Sequence, residues 1–172
     1  IVTDHRLNLG AAARLLAAVH VSVGDATLAC FDAKYHYRFW RPVHAITRAD
    51  IDGNPATTAD PTWTPLVETP PIPDYDSGHA VEGGAAANVL TRVFGTDTIS
   101  FSNCSYTLPA GQTCVDPAPT LRHFTSFSQA ADENAVSRIY VGFHFRDAVE
   151  TGNRHGEKIA DRTVNLYLRP TH

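Results

Sequence analysis

The sequence has no excess of positive charge, no long apolar run and few cysteines. Its 172 residues include 14 Lys and Arg against 18 Asp and Glu, a net charge of −4. Because nucleic-acid binders need a basic surface, this balance argues against a nucleic-acid partner. No apolar run approaches the roughly 20 residues that cross a bilayer, so we expect no membrane span.

Methionine is also absent, and the chain begins at Ile1 without a charged and apolar leader. Two origins stay open for this start, a processed product and a trimmed one. The 43% apolar and 19% charged residues are ordinary for a globular protein. A chain of this length suffices for one domain with its own core.

Only three cysteines are present, and two of them bracket a loop-like segment. We expect Cys104 and Cys114 to form a disulfide, with two free thiols as the alternative. Asn103 opens an Asn-Cys-Ser glycosylation sequon, a triplet that also arises by chance. Both features favour an oxidising compartment, so we expect a secreted or extracellular protein. Cys30 lies in an apolar stretch and is predicted to be a core residue.

Apolar spacings of three and four predict an all-α fold, a helical bundle with long ordered loops. Helices are expected over 8–32, 81–94 and 127–140, with a last helix from His144 toward Leu168 that Pro170 stops. The small residues over 83–87 would let a neighbouring helix approach. Segment 50–76 is rich in Pro, Thr and Asp and predicts a long loop. Segment 96–121 predicts a second loop or a short hairpin, within one domain over residues 1–172.

The tetrapeptide Asp76-Ser77-Gly78-His79 lies where the first long loop meets the helix at 81–94. Ser77 is a candidate N-cap, and Gly78 lets an anion approach the backbone. The first N–H groups of a helix lack partners inside it, and with the helix dipole they favour a bound oxyanion. His79 adds a titratable imidazole. Alone, the motif favours an ordinary serine cap with a surface histidine.

Cationic residues elsewhere make the oxyanion interpretation more specific. Lys34 and Arg41 are seven residues apart, which would place them on one helical face, although Pro42 favours a break at Arg41. A solvated basic stripe is the alternative for this segment. Arg138 lies near the end of the helix at 127–140, and His144 follows it. Three fixed positive charges would repel a divalent cation, which argues against zinc at the histidines.

The order of these residues resembles a three-part signature of the vanadium-dependent haloperoxidases. Type 2 phosphatidic acid phosphatases and bacterial class A acid phosphatases share it. The parts are Lys34-(six residues)-Arg41-Pro42, Ser77-Gly78-His79 and Ser137-Arg138-(five residues)-His144. The sequence around Arg41 and Arg138 is more similar to that of the chloroperoxidase-type branch than to that of the lipid phosphatases. The resemblance covers about residues 34–152 and implies a helical bundle, the catalytic part of a longer chain with an additional N-terminal helical portion.

The resemblance implies vanadate as the cofactor, with phosphate able to occupy the same site. His144 would be the axial vanadium ligand or the nucleophile toward phosphorus, and His79 would be the acid–base residue. Lys34 would polarise bound peroxide in a haloperoxidase, whose substrates would be hydrogen peroxide and halide. A phosphatase would take a small phosphomonoester. The oxyanion would be held by Lys34, Arg41, Ser77, Gly78 and Arg138.

The sequence departs from this pattern at specific places. Asp76 stands where the family usually has Pro, and its carboxylate would raise the pKa of His79 or weaken anion binding. The family often has an Asp four residues after the second histidine, where this chain has Ala148. Asp147 lies one residue earlier. Either it still orients the second histidine, or that role is lost.

Three functions stay open, in this order: a vanadate-dependent haloperoxidase, a phosphatase that forms a phosphohistidine, and a non-catalytic phosphate-binding, vanadate-binding or storage-type relative. Vanadate-dependent bromination would support the first, and phosphoester hydrolysis the second. Retained anion binding with neither activity would support the third. Ile72 matches neither the chloro- nor the bromoperoxidase residue at its place, which leaves the halide open.

Overall fold

Four long helices and one short helix form most of the structure. The computed structural model describes residues 1–104, 108, 110–115 and 121–167. A 3₁₀ turn spans Ala49–Ile51. Two antiparallel strands pair in a register that runs from Phe101 opposite Phe124 to Cys104 opposite Leu121. The helical bundle predicted from the sequence is confirmed, and the second loop contains the short hairpin. The elements are α1 (Leu9–Tyr37), α2 (Pro42–Thr47), α3 (Gly78–Phe94), β1 (Phe101–Cys104), β2 (Leu121–Phe124), α4 (Phe127–Tyr140) and α5 (Arg146–Leu166).

Helix α1 is longer than its apolar spacing predicts. It ends at Tyr37 because Arg38 adopts a left-handed conformation, with φ 49° and ψ 38°. Arg41 is extended and caps α2, as expected for a residue before Pro42. The predicted break is therefore present, and Lys34 and Arg41 do not share a helical face. Tertiary packing, rather than helical periodicity, brings these two side chains together.

Helix α3 is central and packs against α1, α4 and α5. Glycines allow the closest of these approaches. A Cβ atom on Gly84 would lie 2.3 Å from the carbonyl oxygen of Asn153, and one on Gly156 would lie 1.9 Å from that of Val81. The predicted close approach of a helix to the small residues of α3 is confirmed. The main core cluster consists of Leu15, Ala18, Ala26, Cys30, Val81, Ala85, Val89 and Ala160.

The turns at the helix ends determine where the candidate site residues lie. Gly95, with φ 71°, follows α3, and Gly142, with φ 82°, follows α4. Helix α5 starts at Arg146, so His144 lies in the turn before α5 and not inside the last helix. The predicted end of that helix at Leu168 and its stop at Pro170 lie outside the described residues.

The predicted cysteine pair is a disulfide. Cys104 at the end of β1 bonds to Cys114, with their Cα atoms 5.8 Å apart. Cys30 is a free, buried thiol, as predicted. Asn103 is exposed on β1. Because Ser105 lies outside the described residues, glycosylation of this sequon stays a prediction.

Helix α1 is long and apolar enough to cross a membrane, although no such helix was expected from the sequence. The stretch Leu9–Thr47 includes an 18-residue window with mean hydropathy 1.4, of which 28% is buried. Leu15, Ala26 and Cys30 on this helix belong to the core. Core helices and signal sequences meet the same criteria, so no membrane-spanning helix is established.

Replacing Gly156 with Ala tests the close packing of α3 and α5. The new Cβ would lie 1.9 Å from the Val81 carbonyl oxygen, so the helices must separate. We expect the free energy of unfolding to fall by about 1–3 kcal/mol in chemical denaturation. Gly24→Ala is the matched control, because nothing lies within 4 Å of a Cβ there. It should add up to about 1 kcal/mol through helix propensity. Equal effects at both positions would contradict the packing argument.

Candidate oxyanion site

The three predicted cations lie together near the N-terminus of α3. Lys34 comes from α1, Arg41 from the cap of α2 and Arg138 from the last turn of α4. Burial lowers the pKa of Lys34, and the charge of Arg41 lowers it further. Burial also lowers the pKa of Arg41; the charge of Asp74 opposes this shift, and the charge of Arg138 adds to it. Within the described part of the chain, none of the three cations forms an ion pair. A bound oxyanion would relieve this mutual repulsion.

Lys34 is buried and fully engaged. Its Nζ donates to the backbone carbonyls of Pro73 at 2.9 Å, Asp74 at 2.9 Å and Asp76 at 2.6 Å. An ammonium group has three donors, and all of them are used here. Lys34 therefore fixes the loop before Ser77 and contributes positive charge to the site. A direct hydrogen bond to an anion would have to replace one of these carbonyls.

Arg41 is also buried, and it connects the loop to His144. Its Nε donates to the Ile72 carbonyl at 2.8 Å, and Nη1 donates to the Phe143 carbonyl at 3.0 Å. Nη1 also lies 3.0 Å from His144 Nε2. Because a guanidinium group has only donors, Nε2 must be the acceptor, and the proton of the neutral imidazole is on Nδ1. No hydrogen bond to Nη2 occurs among the described residues.

Ser77 occupies the N-cap position of α3, but it does not cap the helix as expected. Its side chain makes no capping hydrogen bond, and its buried Oγ has no hydrogen-bond partner. The backbone N–H of Ser77 donates to the Ala148 carbonyl at 3.0 Å. Within the described residues, the Gly78 N–H has no acceptor. Buried polar atoms without partners require an explanation, and a ligand oxygen would satisfy both groups.

Arg138 and His79 complete the site on the α4 side. Arg138 Nε is buried without a partner, and its Cζ lies 4.9 Å from the centroid of the Phe143 ring. Partial burial and the charge of Arg138 lower the pKa of His79, so this exposed imidazole is neutral at neutral pH. A neutral imidazole beside a cation can accept a proton from a bound molecule.

His144 has a carboxylate neighbour that the sequence did not indicate. Its Nδ1 lies 2.7 Å from Asp74 Oδ1, and both side chains are buried. Burial has the largest effect and lowers the pKa of His144. The charges of Arg41 and Lys34 also lower it, and Asp74 opposes the shift. Asp147, the expected partner, is exposed and forms no ion pair with His144. The only indication of this role in the sequence was the position of Asp74, an acidic residue between a proline-rich run and the Ser-Gly-His motif.

Asp76 does not act on His79 as expected. Its Oδ2 lies 2.7 Å from His155 Nδ1, on the side of the loop that faces α5. The carboxylate does not contribute to the pKa shift of His79, and its carbonyl oxygen accepts a hydrogen bond from Lys34. The aspartate that replaces the family's usual proline thus adds a partly buried contact with His155 behind the site.

Comparison with known proteins agrees with this arrangement. A family described as the VCPO second helical-bundle domain matches residues 14–172. The chain belongs to this family, and it is a relative of the vanadium haloperoxidases. Vanadium chloroperoxidase from Curvularia inaequalis is 32% identical over 171 residues, which cover 78% of this chain and 27% of that protein.

Solved structures show the same relationship. The first bacterial vanadium-dependent iodoperoxidase structure has a TM-score of 0.79 and 35% identity, covering 95% of this chain and 36% of that one. A holo-type bacterial vanadium-dependent chloroperoxidase has a TM-score of 0.66 at 24% identity, covers 86% of this chain and 34% of its own, and supports the fold alone. The chain thus spans about a quarter to a third of the length of these relatives.

The residues present fit a tetrahedral oxyanion such as vanadate or phosphate. Ser77 Oγ and Arg138 Nε are buried donors without partners, and Arg41 keeps an unused Nη2. His144 Nε2 provides a lone pair next to them. Charge-assisted hydrogen bonds from such groups suit an oxyanion better than a hydrated cation.

Replacing Arg138 with Gln tests the site by binding alone. Loss of one charged donor should weaken binding of orthovanadate and inorganic phosphate about 10- to 100-fold, measured by titration calorimetry. Arg146→Gln is the matched control, because Arg146 is exposed and pairs only loosely with Glu150 at 3.9 Å. Affinities that fall equally in both variants would mean that general charge, and not the site, attracts the anion.

The pKa of His144 predicts a pH dependence of stability. Its folded-state pKa lies below the ordinary 6.5, so the unfolded chain binds the proton at a higher pH. Stability from the neutral ring is complete above about pH 6.5 and is lost as the pH falls through the folded-state pKa. We expect the midpoint of thermal unfolding to fall as the pH is lowered from about 6.5 toward the folded-state pKa, and to fall less in His144→Gln. An identical slope in the variant would contradict this linkage.

Proposed function

We propose that this chain forms the catalytic part of a vanadate-dependent haloperoxidase that oxidises halide with hydrogen peroxide. One observation carries the proposal: buried donors without partners, on Ser77 and Arg138, meet the lone pair of a neutral imidazole at the N-terminus of α3. Membership in the family and the names of the relatives above support the same activity. The halide is left to experiment, since the relatives named include a chloroperoxidase and an iodoperoxidase.

Vanadate would be held by side chains from four separate segments. Arg41, Arg138, Ser77 Oγ and the Gly78 N–H would donate to its oxygens, and His144 Nε2 would bind the vanadium. Bound vanadate supplies a Lewis acid that activates peroxide toward attack by halide. Arg41 Nη1 and His144 Nε2 would give up their mutual hydrogen bond as each binds the anion. Lys34 contributes its charge from behind the loop.

His79 would carry the proton transfers. It is exposed, so hydrogen peroxide can reach it from solvent, and Arg138 helps to keep it neutral. A neutral ring can accept a proton from hydrogen peroxide as the peroxide binds. The same ring can later return that proton to the oxygen that leaves as water. General acid–base catalysis of this kind contributes about 10²–10⁴-fold.

A phosphatase is the second candidate, and the state of Lys34 favours it. All three Lys34 donors are used by backbone carbonyls, so no donor is prepared to polarise peroxide. The same anion site would hold a phosphomonoester. His144 Nε2 would attack phosphorus as the ester P–O bond breaks, and His79, protonated at acidic pH, would give its proton to the leaving alkoxide. Water would then release phosphate from the imidazole.

We also propose that the protein is secreted. The Cys104–Cys114 disulfide and the exposed Asn103 support this location, because both features belong to oxidising compartments. The third candidate, a storage-type relative without catalysis, keeps the anion site and predicts binding alone.

Two assays on the purified chain separate these functions. With orthovanadate, hydrogen peroxide and chloride, bromide or iodide in turn, we expect vanadate-dependent halogenation of a phenol dye. His144→Ala should abolish it, and His79→Ala should lower the rate about 10²–10⁴-fold. His20→Ala, at an exposed position on α1, is the control. Hydrolysis of p-nitrophenyl phosphate without halogenation would support the phosphatase, and anion binding with neither activity the storage-type relative.

A further inference from the structure

We propose that Asp74 is a positioning residue for His144: its carboxylate holds the imidazole with the proton on Nδ1, which leaves the Nε2 lone pair facing the anion site. The proposal rests on the proposed function only for the use of Nε2. The carboxylate that the family often places four residues after this histidine is absent here, where the position holds Ala148. In this chain the carboxylate beside His144 is that of Asp74, in the loop before α3.

The contact between the Asp74 and His144 side chains is short, and no other described residue hydrogen-bonds to the atoms that form it. Asp74 Oδ1 lies 2.7 Å from His144 Nδ1, and Asp74 is 0% exposed. Within the described part of the chain, neither carboxylate oxygen of Asp74 nor His144 Nδ1 has any other hydrogen-bond partner. The two atoms are within hydrogen-bonding distance, and a side-chain rotation that aligns the ring N–H with the oxygen would complete the bond. A buried carboxylate without a donor is strongly unfavourable, which favours that rotation.

The opposite side of the ring requires the same tautomer. Arg41 Nη1 lies 3.0 Å from His144 Nε2 and can only donate. The proton of a neutral ring must therefore be on Nδ1, the nitrogen that faces Asp74. Two independent contacts, one with a donor and one with an acceptor, thus select one tautomer.

The backbone of Asp74 is fixed by the rest of the site, so its carboxylate has a defined position. Its carbonyl accepts a hydrogen bond from Lys34 Nζ at 2.9 Å, and its N–H donates to the Phe39 carbonyl at 2.9 Å. The first bond ties Asp74 to α1, and the second ties it to the segment that leads to Arg41. Asp147, by contrast, is exposed in the first turn of α5.

The test compares Asp74→Asn and Asp74→Glu with the matched control Asp147→Asn. In ¹⁵N-histidine NMR spectra of the wild type, we expect His144, assigned by its loss in His144→Gln, to have a protonated Nδ1 and a bare Nε2. Asp74→Asn should shift the ring toward the other tautomer, because an amide can donate to Nδ1. Binding of orthovanadate and inorganic phosphate should weaken about 10- to 100-fold. Asp74→Glu should recover part of both properties, and Asp147→Asn should change neither.

A wild-type His144 with its proton on Nε2 would overturn the proposal without any variant, so the test does not depend on the folding of Asp74→Asn. An unchanged tautomer and unchanged anion affinity in Asp74→Asn would also overturn it. The proposed function fails separately, if the tautomer depends on Asp74 while the wild type shows no halogenation. The positioning role fails separately, if halogenation occurs and Asp74→Asn leaves the tautomer unchanged.

Discussion

The burial of one ammonium group organises the whole site. Lys34 extends from α1 into the interior, where an unsatisfied charge would cost roughly 3–5 kcal/mol. Three carbonyl oxygens of the loop before α3 surround it at 2.6–2.9 Å. Because these carbonyls belong to residues 73, 74 and 76, satisfying the charge also fixes the backbone that delivers the carboxylate of Asp74 and the hydroxyl of Ser77. The positions of the anion donors therefore depend on a cation that does not itself need to touch the anion.

The arrangement is costly for the folded protein and useful for binding. Buried cations whose pKa values are lowered by a neighbouring cation, a hydroxyl without a partner and a guanidinium nitrogen without a partner all reduce stability without a ligand. The close packing of α3 and α5 helps to offset this cost. Gly152 on α5 lies against the site itself, since a Cβ there would be 2.9 Å from the Ser77 carbonyl oxygen. The same glycine-lined contact that builds the core thus holds Ser77 in place.

Much of the fold followed from local sequence. The spacing of apolar residues predicted α4 with its observed bounds, and the glycines after α3 and α4 marked their ends. The end of α1 was missed by five residues, because a left-handed Arg38 has no local signal as strong as glycine. Ser77 is at the N-cap position as predicted, but its hydroxyl does not cap the helix, because N-cap propensity describes an average environment and this hydroxyl is buried without a partner.

The sequence by itself determined which groups are available: three cations, two imidazoles, a helix start with small residues, and an order of motifs specific enough to indicate a family. Their types and spacing are local properties of the chain. Only the tertiary structure decided which groups face one another. In the folded chain the Lys34 ammonium donates its hydrogen bonds to backbone carbonyls. Asp76 lies beside His155, and Asp74 rather than Asp147 lies beside His144. Such pairings depend on contacts between distant segments, whose distances and burial no local pattern encodes.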